Sequence, residues 1–490
     1  QQYQTAALYN AHMEKVFYAP LRYMRANKLP VTISMTQLTN LFFSPTHEQN
    51  AYASIDLDPR VRKTDNSILG TGYLDPLSPV FMWRDAARQM LGDAARPYAS
   101  TVGSESPGAV LREIAKVYPD PPAVYLVSNN EDKLLAPNSF TGSDLTNYTT
   151  EWKRGSVAFG PGLTPAQLTD AINAGYGQRF LTLHTEAKRI VRGLFPNSQV
   201  RISGYVNSRA WGGFTSWQTY LFVRNANGRL IGNDRLKGLD SLSVSTYPDT
   251  NYADNTARSI FATYLSDENS IRTINDGSLP QMEEIALHDA SETGAGAFSA
   301  NSYTPSRYKG SVRHLMWLAR PRVVREWRGT NARRTDTGHD GTSLRSAYWD
   351  ALVAACAEVH SNATLSRFWT QSELAFNPNR AHPYTLAPLG TIDETQRVWP
   401  YLPVSDEPAA WANTVIALTD PVATWAFSYM IGRGSTAEYL LFAHSPAGAK
   451  TGINVTMRKD DGTDMTVTVN TTPQGNFWSV TPAGVATLIL

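Results

Sequence analysis

Cysteine is nearly absent: Cys356 stands alone in 490 residues, which excludes an intramolecular disulfide. It lies in the apolar helical run Trp349-Asp350-Ala351-Leu352-Val353-Ala354-Ala355-Cys356, where a thiol behaves as a small hydrophobe, and core filler is its expected role. Charge of one sign is absent as well. A formal net charge of +1 provides no basic field to gather nucleic-acid phosphates or anionic lipid, so neutral partners are favoured. No apolar run approaches the ~18 residues of a membrane span. The amino terminus, Gln1-Gln2-Tyr3-Gln4, has neither an initiator methionine nor a signal peptide, so the chain is expected to begin mid-protein or after processing. An extracellular or periplasmic location of the bacterial type is expected, with a cytoplasmic one left open, and homo-oligomerisation is left open too.

Several motifs are missing. The histidines show no H-E-x-x-H or comparable spacing, there is no G-x-S-x-G elbow, and neither a P-loop nor a G-x-G-x-x-G follows a strand. Catalytic zinc, a serine nucleophile and a nucleotide cofactor are therefore not expected, and no cofactor is assigned. Aromatic residues, by contrast, are plentiful: 12 Trp and 23 Tyr. Several sit among glycines and polar residues, as in Arg209-Ala210-Trp211-Gly212-Gly213. Flat rings stack on the apolar faces of sugars while amides and acids bind hydroxyls, so the composition leans toward a carbohydrate partner.

The chain reads as alternating helices and strands. Helical spacing runs over residues 5–27 with Pro20 as a kink, and again over 80–91, 109–117, 165–174, 179–194, 311–319 and 344–360. Strand candidates are 31–36, 124–127, 200–206, 242–247, 323–327 and 365–369, with a long loop over 40–79. That rhythm points to a parallel α/β architecture. Beyond about residue 403 the runs 414–418, 438–442, 452–457, 463–469 and 476–480 are short and β-type. Lys459-Asp460-Asp461-Gly462 marks a hairpin there, and a small antiparallel β-sandwich over 403–490 is expected.

The run Ala123-Val124-Tyr125-Leu126-Val127 ends abruptly in Ser128-Asn129-Asn130-Glu131. Strands buried on both faces read as continuous apolar segments, and the residues past their carboxyl ends face the site in open α/β sheets and barrels. Glu326, in Val323-Val324-Arg325-Glu326-Trp327, is a second strand-end carboxylate unless residues 320–328 continue the preceding helix. Two such carboxyls are what glycoside hydrolysis requires, one protonated to assist the leaving oxygen and one ionised to attack. Tyr247 closes the strand before Pro248, and Asn207, Arg209 and Trp211 follow the strand before that. Trp327 neighbours Glu326, His339 lies in the polar loop after it, and Trp369 ends the last strand candidate.

Together these residues resemble clan A retaining glycoside hydrolases, with no family within the clan identified. The resemblance implies a (β/α)8 barrel over 1–402, its front strands missing or irregular because six candidates stand where eight belong, followed by the β-sandwich domain. It further implies Glu131 as general acid/base, Asn130 as the holder of a sugar 2-hydroxyl and Glu326 as nucleophile. Tyr247 becomes the nucleophile's hydrogen-bond partner and Trp369 an aromatic floor, with Asn207, Arg209, Trp211, Trp327 and His339 meeting a β-linked poly- or oligosaccharide. Two rival readings remain: a non-catalytic carbohydrate-binding or structural surface protein on the same scaffold, and a polysaccharide lyase, which the arginines of 320–334 would suit.

Overall fold

The computed structural model describes residues 10–11, 13–35, 58–69, 73–92, 107–128, 134–135, 152–154, 164–206, 222–224, 230–232, 234–246, 282–288, 304–327, 344–374, 398–399, 424–445, 448–461 and 463–490. The chain divides into two compact units: Gln1–Asn207 with Gly212–Ser243 and Ile274–Gln281, and Ser208–Trp211 with Val244–Thr273 and Met282–Leu490. The architecture is mixed α/β, with parallel strands and separate antiparallel sheets.

In the first unit, β1 (Val31–Ser34) and β2 (Ala123–Ser128) run parallel, Val31 opposite Val124 and Ser34 opposite Val127. β2 is parallel in turn to β3 (Gln199–Val206), with Ser128 opposite Gly204, and β4 (Ser241–Thr246), of which residues 241–243 belong to this unit, is the next strand beyond β3. Every residue of β2 is buried. Coverage on both faces explains why its sequence is continuously apolar instead of alternating. The order advances along the chain without reversal, and each step between β1, β2 and β3 contains helix, as parallel crossovers require.

The helices of this unit are α1 (Ala19–Ala26), α2 (Val80–Leu91), α3 (Pro107–Val117) and α4 (Pro165–Leu194). Pro20 lies two residues past a π-helical turn at Glu14–Tyr18, with helical backbone on both sides, so it falls where the regular hydrogen-bond ladder is already interrupted. The two helices expected over 165–174 and 179–194 are one, α4, opened by a capping box between Thr164 and Gln167. Gly175 and Gly177, which fall between the two expected ranges, serve close approach. A Cβ on Gly175 would come within 2.6 Å of the Pro76 carbonyl oxygen, and one on Gly177 within 2.6 Å of Asp234 Cβ. The buried stripe Leu168, Ile172, Tyr176, Phe180, Leu183, Ala187 and Val191 carries the helix through both positions, outweighing a cost of about 1 kcal/mol per glycine. Trp83 of α2 meets Phe180 edge-on, with ring centres 5.0 Å apart.

In the second unit, β5 (Met282–His288) pairs in parallel with β6 (Val323–Trp327), Glu284 opposite Val323 and Leu287 opposite Glu326. Residues 320–328 thus do not continue the helix before them. β5 was not expected, because Met282-Glu283-Glu284-Ile285-Ala286-Leu287-His288 has a single β-branched residue and two acids. Three helices follow in chain order around β6: α5 (Pro305–Ala319), α6 (Leu344–Ser361) and α7 (Ala363–Gln371). The strand expected at 365–369 is corrected by α7. Asn362 caps that helix, its side-chain oxygen accepting from the Thr364 and Leu365 amides at 3.0 and 3.1 Å, and Leu365 and Phe368 are buried at helical spacing. A short apolar run has no period of its own to separate strand from helix; the cap decides it.

The carboxyl-terminal strands are β7 (Thr424–Ile431), β8 (Glu438–His444), β9 (Lys450–Arg458), β10 (Asp464–Thr471), β11 (Asn476–Val480) and β12 (Ala486–Leu488). β7, β8, β11 and β12 form one antiparallel run, while β9 and β10 are a hairpin turning where the sequence predicts it, with the Lys459 amide on the Thr463 carbonyl at 2.8 Å. The residues 414–418 lie outside those described. One face of the sheet, Ala426, Met430, Tyr439, Leu441 and Ala443, packs on Ile453, Val455, Met457, Val467 and Val469 of the hairpin. The opposite face, Phe427, Tyr429, Phe442, His444 and Phe477, meets α5: His314 lies 5.1 Å from Phe427 and 5.2 Å from His444, and Trp317 lies 5.5 Å from Phe477. Arg313 of α5 binds Glu358 of α6 through Nε and Nη2 at 2.7 and 2.6 Å, and its Nη1 donates to the Gln474 and Gly475 carbonyls. Lys309 joins the same carboxylate at 2.7 Å.

Two tests follow from this packing. Gly193, with nothing within 4 Å of a built Cβ, lies in the same helix as Gly175. Gly193→Ala should therefore raise stability by roughly 0.5–1 kcal/mol while Gly175→Ala lowers it by about 1–3 kcal/mol, compared by urea unfolding. Burial holds His314 well below the usual histidine range and His444 down at about 3. The unfolded chain takes up these protons near pH 6.5, so the stability is whole above that pH and is lost as pH falls toward the folded values. Each ring should cost about 2 kcal/mol at pH 5, and a urea midpoint unchanged between pH 7 and pH 5 would contradict the assignment.

Candidate functional site

The carboxyl ends of the parallel strands are where the sequence places its chemistry. β2 ends at Ser128, three positions before Glu131. Asn130, Glu131, Asn207, Arg209, Trp211, Tyr247 and His339 lie outside the described residues. Glu326 and Trp327 are the last two residues of β6, and their side chains also lie outside the description. Register sets Glu326 opposite Leu287 and Trp327 opposite His288. His288 is thus a strand-end residue that sequence reading passed over, for the reason that β5 itself was not recognised. Parallel hydrogen bonding brings the ends of β5 and β6 to one edge.

Trp369 does not end a strand, so its assignment as an aromatic floor loses its basis. It lies in the last turn of α7, meeting Trp317 edge-on with ring centres 5.1 Å apart. Its carbonyl accepts from Arg320 Nη1 at 2.9 Å. Arg320 itself adopts a left-handed backbone at φ 45°, closing α5 before the turn into β6. Its guanidinium lies 4.3 Å from the Tyr429 ring centre and also donates to Phe368, to the Ser372 carbonyl and to Ser372 Oγ. These bonds satisfy carbonyls that a helix end leaves without partners. Trp317, Trp369 and Tyr429 enclose a cation that the chain supplies itself, which is packing chemistry.

The segment that follows Glu131 is anchored in the first unit. Leu134 and Leu135 are buried, and Leu134 bridges Leu74. The Leu135 amide donates to the Tyr176 hydroxyl at 2.9 Å, and that hydroxyl donates to the Leu74 carbonyl. Residues 74–78 are fixed to α4 in the same region: Arg179 Nε donates to the Ser78 carbonyl at 2.7 Å and its Nη1 to the Gly175 carbonyl at 2.9 Å. Burial lowers the Arg179 guanidinium to about 10. Asp75 accepts from the Leu77 amide at 2.8 Å and from Arg154 at 2.6 Å. Burial raises its carboxyl above the usual range, against the pull of Arg154. Asp58, by contrast, is desolvated yet held below the usual range by Arg60 and Arg62.

Among the described residues, no group of three or more His, Cys, Asp or Glu could hold a metal ion, and no helix is long and apolar enough to cross a membrane. Cys356 has its sulfur 3.5 Å from Met316 Sδ, and burial pushes its thiol up to about 11, so it stays protonated and unreactive at neutral pH. No protein-family model matches the chain, and no curated protein matches it. Among solved structures it is similar to the β-galactosidase from the psychrophilic Marinomonas ef1, at TM-score 0.33 and 10% identity, over 70% of this chain and 58% of that one. The chain thus spans less than two thirds of that enzyme's length.

Arg320→Met removes the helix-end bonds and the contact with Tyr429 together, and should lower stability by about 3 kcal/mol in urea unfolding, with the slope unchanged. Arg320→Lys should recover only part of it, because an ammonium cannot span the same set of carbonyls.

Proposed function

We propose that this chain is a glycoside hydrolase that cleaves a β-linked poly- or oligosaccharide with retention, Glu131 acting as general acid/base and Glu326 as nucleophile. The observation that carries the reading is that Glu326 stands next to the end of a strand in a parallel pair, a position the sequence alone left divided between strand and helix. Glu131 follows the fully buried parallel strand β2 at the equivalent end. The fold proposed with it is a (β/α)8-type domain over 1–402 with a β-sandwich over 403–490, supported by strands that advance in chain order and by a hairpin packed face to face on the last sheet. Asn130, Asn207, Arg209, Trp211, Tyr247, Trp327 and His339 are the proposed sugar contacts, and an exported location is proposed with a carbohydrate substrate.

In such a mechanism Glu131 protonates the departing glycosidic oxygen while the Glu326 carboxylate attacks the anomeric carbon. The leaving alcohol departs with that proton, and a covalent glycosyl ester remains on Glu326. Water, deprotonated by Glu131, then attacks the same carbon from the face the leaving group vacated and releases the sugar with its original configuration. The acid must stay protonated near neutrality and the nucleophile ionised, which requires two different environments for two like groups. Retention also requires carboxyl groups about 5–5.5 Å apart.

The test is turnover of aryl β-glycosides of glucose, galactose, mannose and xylose. Glu326→Ala should abolish hydrolysis, and a 2-deoxy-2-fluoro glycoside should label Glu326 in the wild type, read by peptide mass. Glu131→Gln should lose 10²-fold or more in kcat/KM on phenyl glycosides and far less on dinitrophenyl ones, whose leaving group needs no proton. Wild-type rates in both variants would reject the assignment.

A further inference from the structure

We propose that Tyr176 is the positioning residue for Glu131, by anchoring Leu134 and Leu135, the buried residues that follow this glutamate in the chain. The inference rests on the assignment of Glu131 as acid/base. At one side of the segment, Ser128 is held in register opposite Gly204. At the other, Leu134 and Leu135 are 2% and 3% exposed, and the Tyr176 hydroxyl takes the Leu135 amide while donating to the Leu74 carbonyl. A single hydroxyl thereby satisfies two backbone groups from segments far apart in sequence, and the Leu74–Leu134 bridge closes the same junction.

The hydroxyl is itself rigidly held. Tyr176 is fully buried in the middle of α4. Gly175 lets the helix approach Pro76 so closely that a Cβ would stand 2.6 Å from its carbonyl oxygen. Arg179, one turn further along, donates to Ser78. Trp83 Nε1 donates to Ser78 Oγ at 2.9 Å, and Ser78 Oγ to the Asp75 carbonyl at 2.7 Å. Residues 74–78 are thus a shelf on α4, and Leu134-Leu135 rests on it. A chain fixed at both ends pays less conformational entropy to present a side chain in one place, and a misplacement of about 1 Å at a reacting group can cost 10²-fold.

Tyr176→Phe in the full chain is the test, since it removes both bonds and keeps the ring. Hydrogen exchange read on peptides over 129–135 should quicken by about tenfold or more. Exchange over 124–128 should stay at wild-type rates. In the wild type, the Leu135 amide should be among the slowly exchanging ones; fast exchange there overturns the latch whatever the variant does, and so does unchanged exchange in Tyr176→Phe. On phenyl β-glycosides the variant should lose about tenfold in kcat/KM, and on 2,4-dinitrophenyl β-glycosides nearly nothing in kcat/KM, which is the leaving-group signature of Glu131→Gln in weaker form. Equal losses on both substrates would make Tyr176 merely structural and overturn its positioning role. If Glu131→Gln leaves turnover unchanged, the acid/base reading and the positioning role fall together, while the exchange data still decide whether the latch exists.

Discussion

Burial of β2 on both faces is the constraint from which the first unit follows. A strand with all six residues buried needs a partner along each edge and a layer over each face. β1 and β3 supply the edges in parallel, and parallel pairing forces long crossovers that become helices. α2, α3 and α4 then cover apolar surface, with Trp83, Leu111, Tyr176 and Phe180 among the buried side chains. Apart from the Tyr125 hydroxyl, the polar side chain in this strand is that of Ser128, its last residue. The sequence changes from Val127 and Ser128 to Asn129-Asn130-Glu131 where the strand ends.

In the second unit the corresponding work is done by two arginines of one helix and its cap. Arg313 joins α5 to α6 through Glu358 and to the turn before β11 through two carbonyls. Arg320 terminates α5 and completes the end of α7. Both are consumed by carbonyls, carboxylate and aromatic faces. The arginine-rich stretch that begins at 320 suited a lyase when read as sequence; its first arginine is an internal fastener. The last sheet is likewise covered on both sides, by the β9–β10 hairpin and by α5, so it shares a core with the helices that precede it.

Legibility varied with how locally each element is determined. Residues 476–480 were readable to the residue, because alternation and turn residues lie within the strand's own neighbourhood. The turn at Lys459-Asp460-Asp461-Gly462 was equally readable, with Asp461 accepting from the Thr463 amide as an Asx turn does. Residues 365–369 were misread because an apolar run of that length carries no period, and the deciding signal, Asn362, lay outside it. Met282–His288 was missed because acids at two of seven positions hide a strand whose pairing partner lies far along the chain. Of the candidate site, the strand-end position of Glu326 was one of two readings the sequence left open, and the strand-end position of His288 was not read at all.

The sequence by itself determined the parallel α/β character, the β-type carboxyl-terminal region and the isolation of Cys356, since each depends on composition or on spacing within a few residues. Only tertiary structure decided that Gly175 and Gly177 belong inside one helix, because their role is the approach of Pro76 and Asp234 and not their own backbone preference. It alone decided that Trp369 packs against Trp317 and Arg320, and that Tyr176 meets Leu74 and Leu135. A hydrogen bond or ring contact between distant residues leaves no period and no local composition behind. Its energy depends on geometry that exists only once the chain has folded.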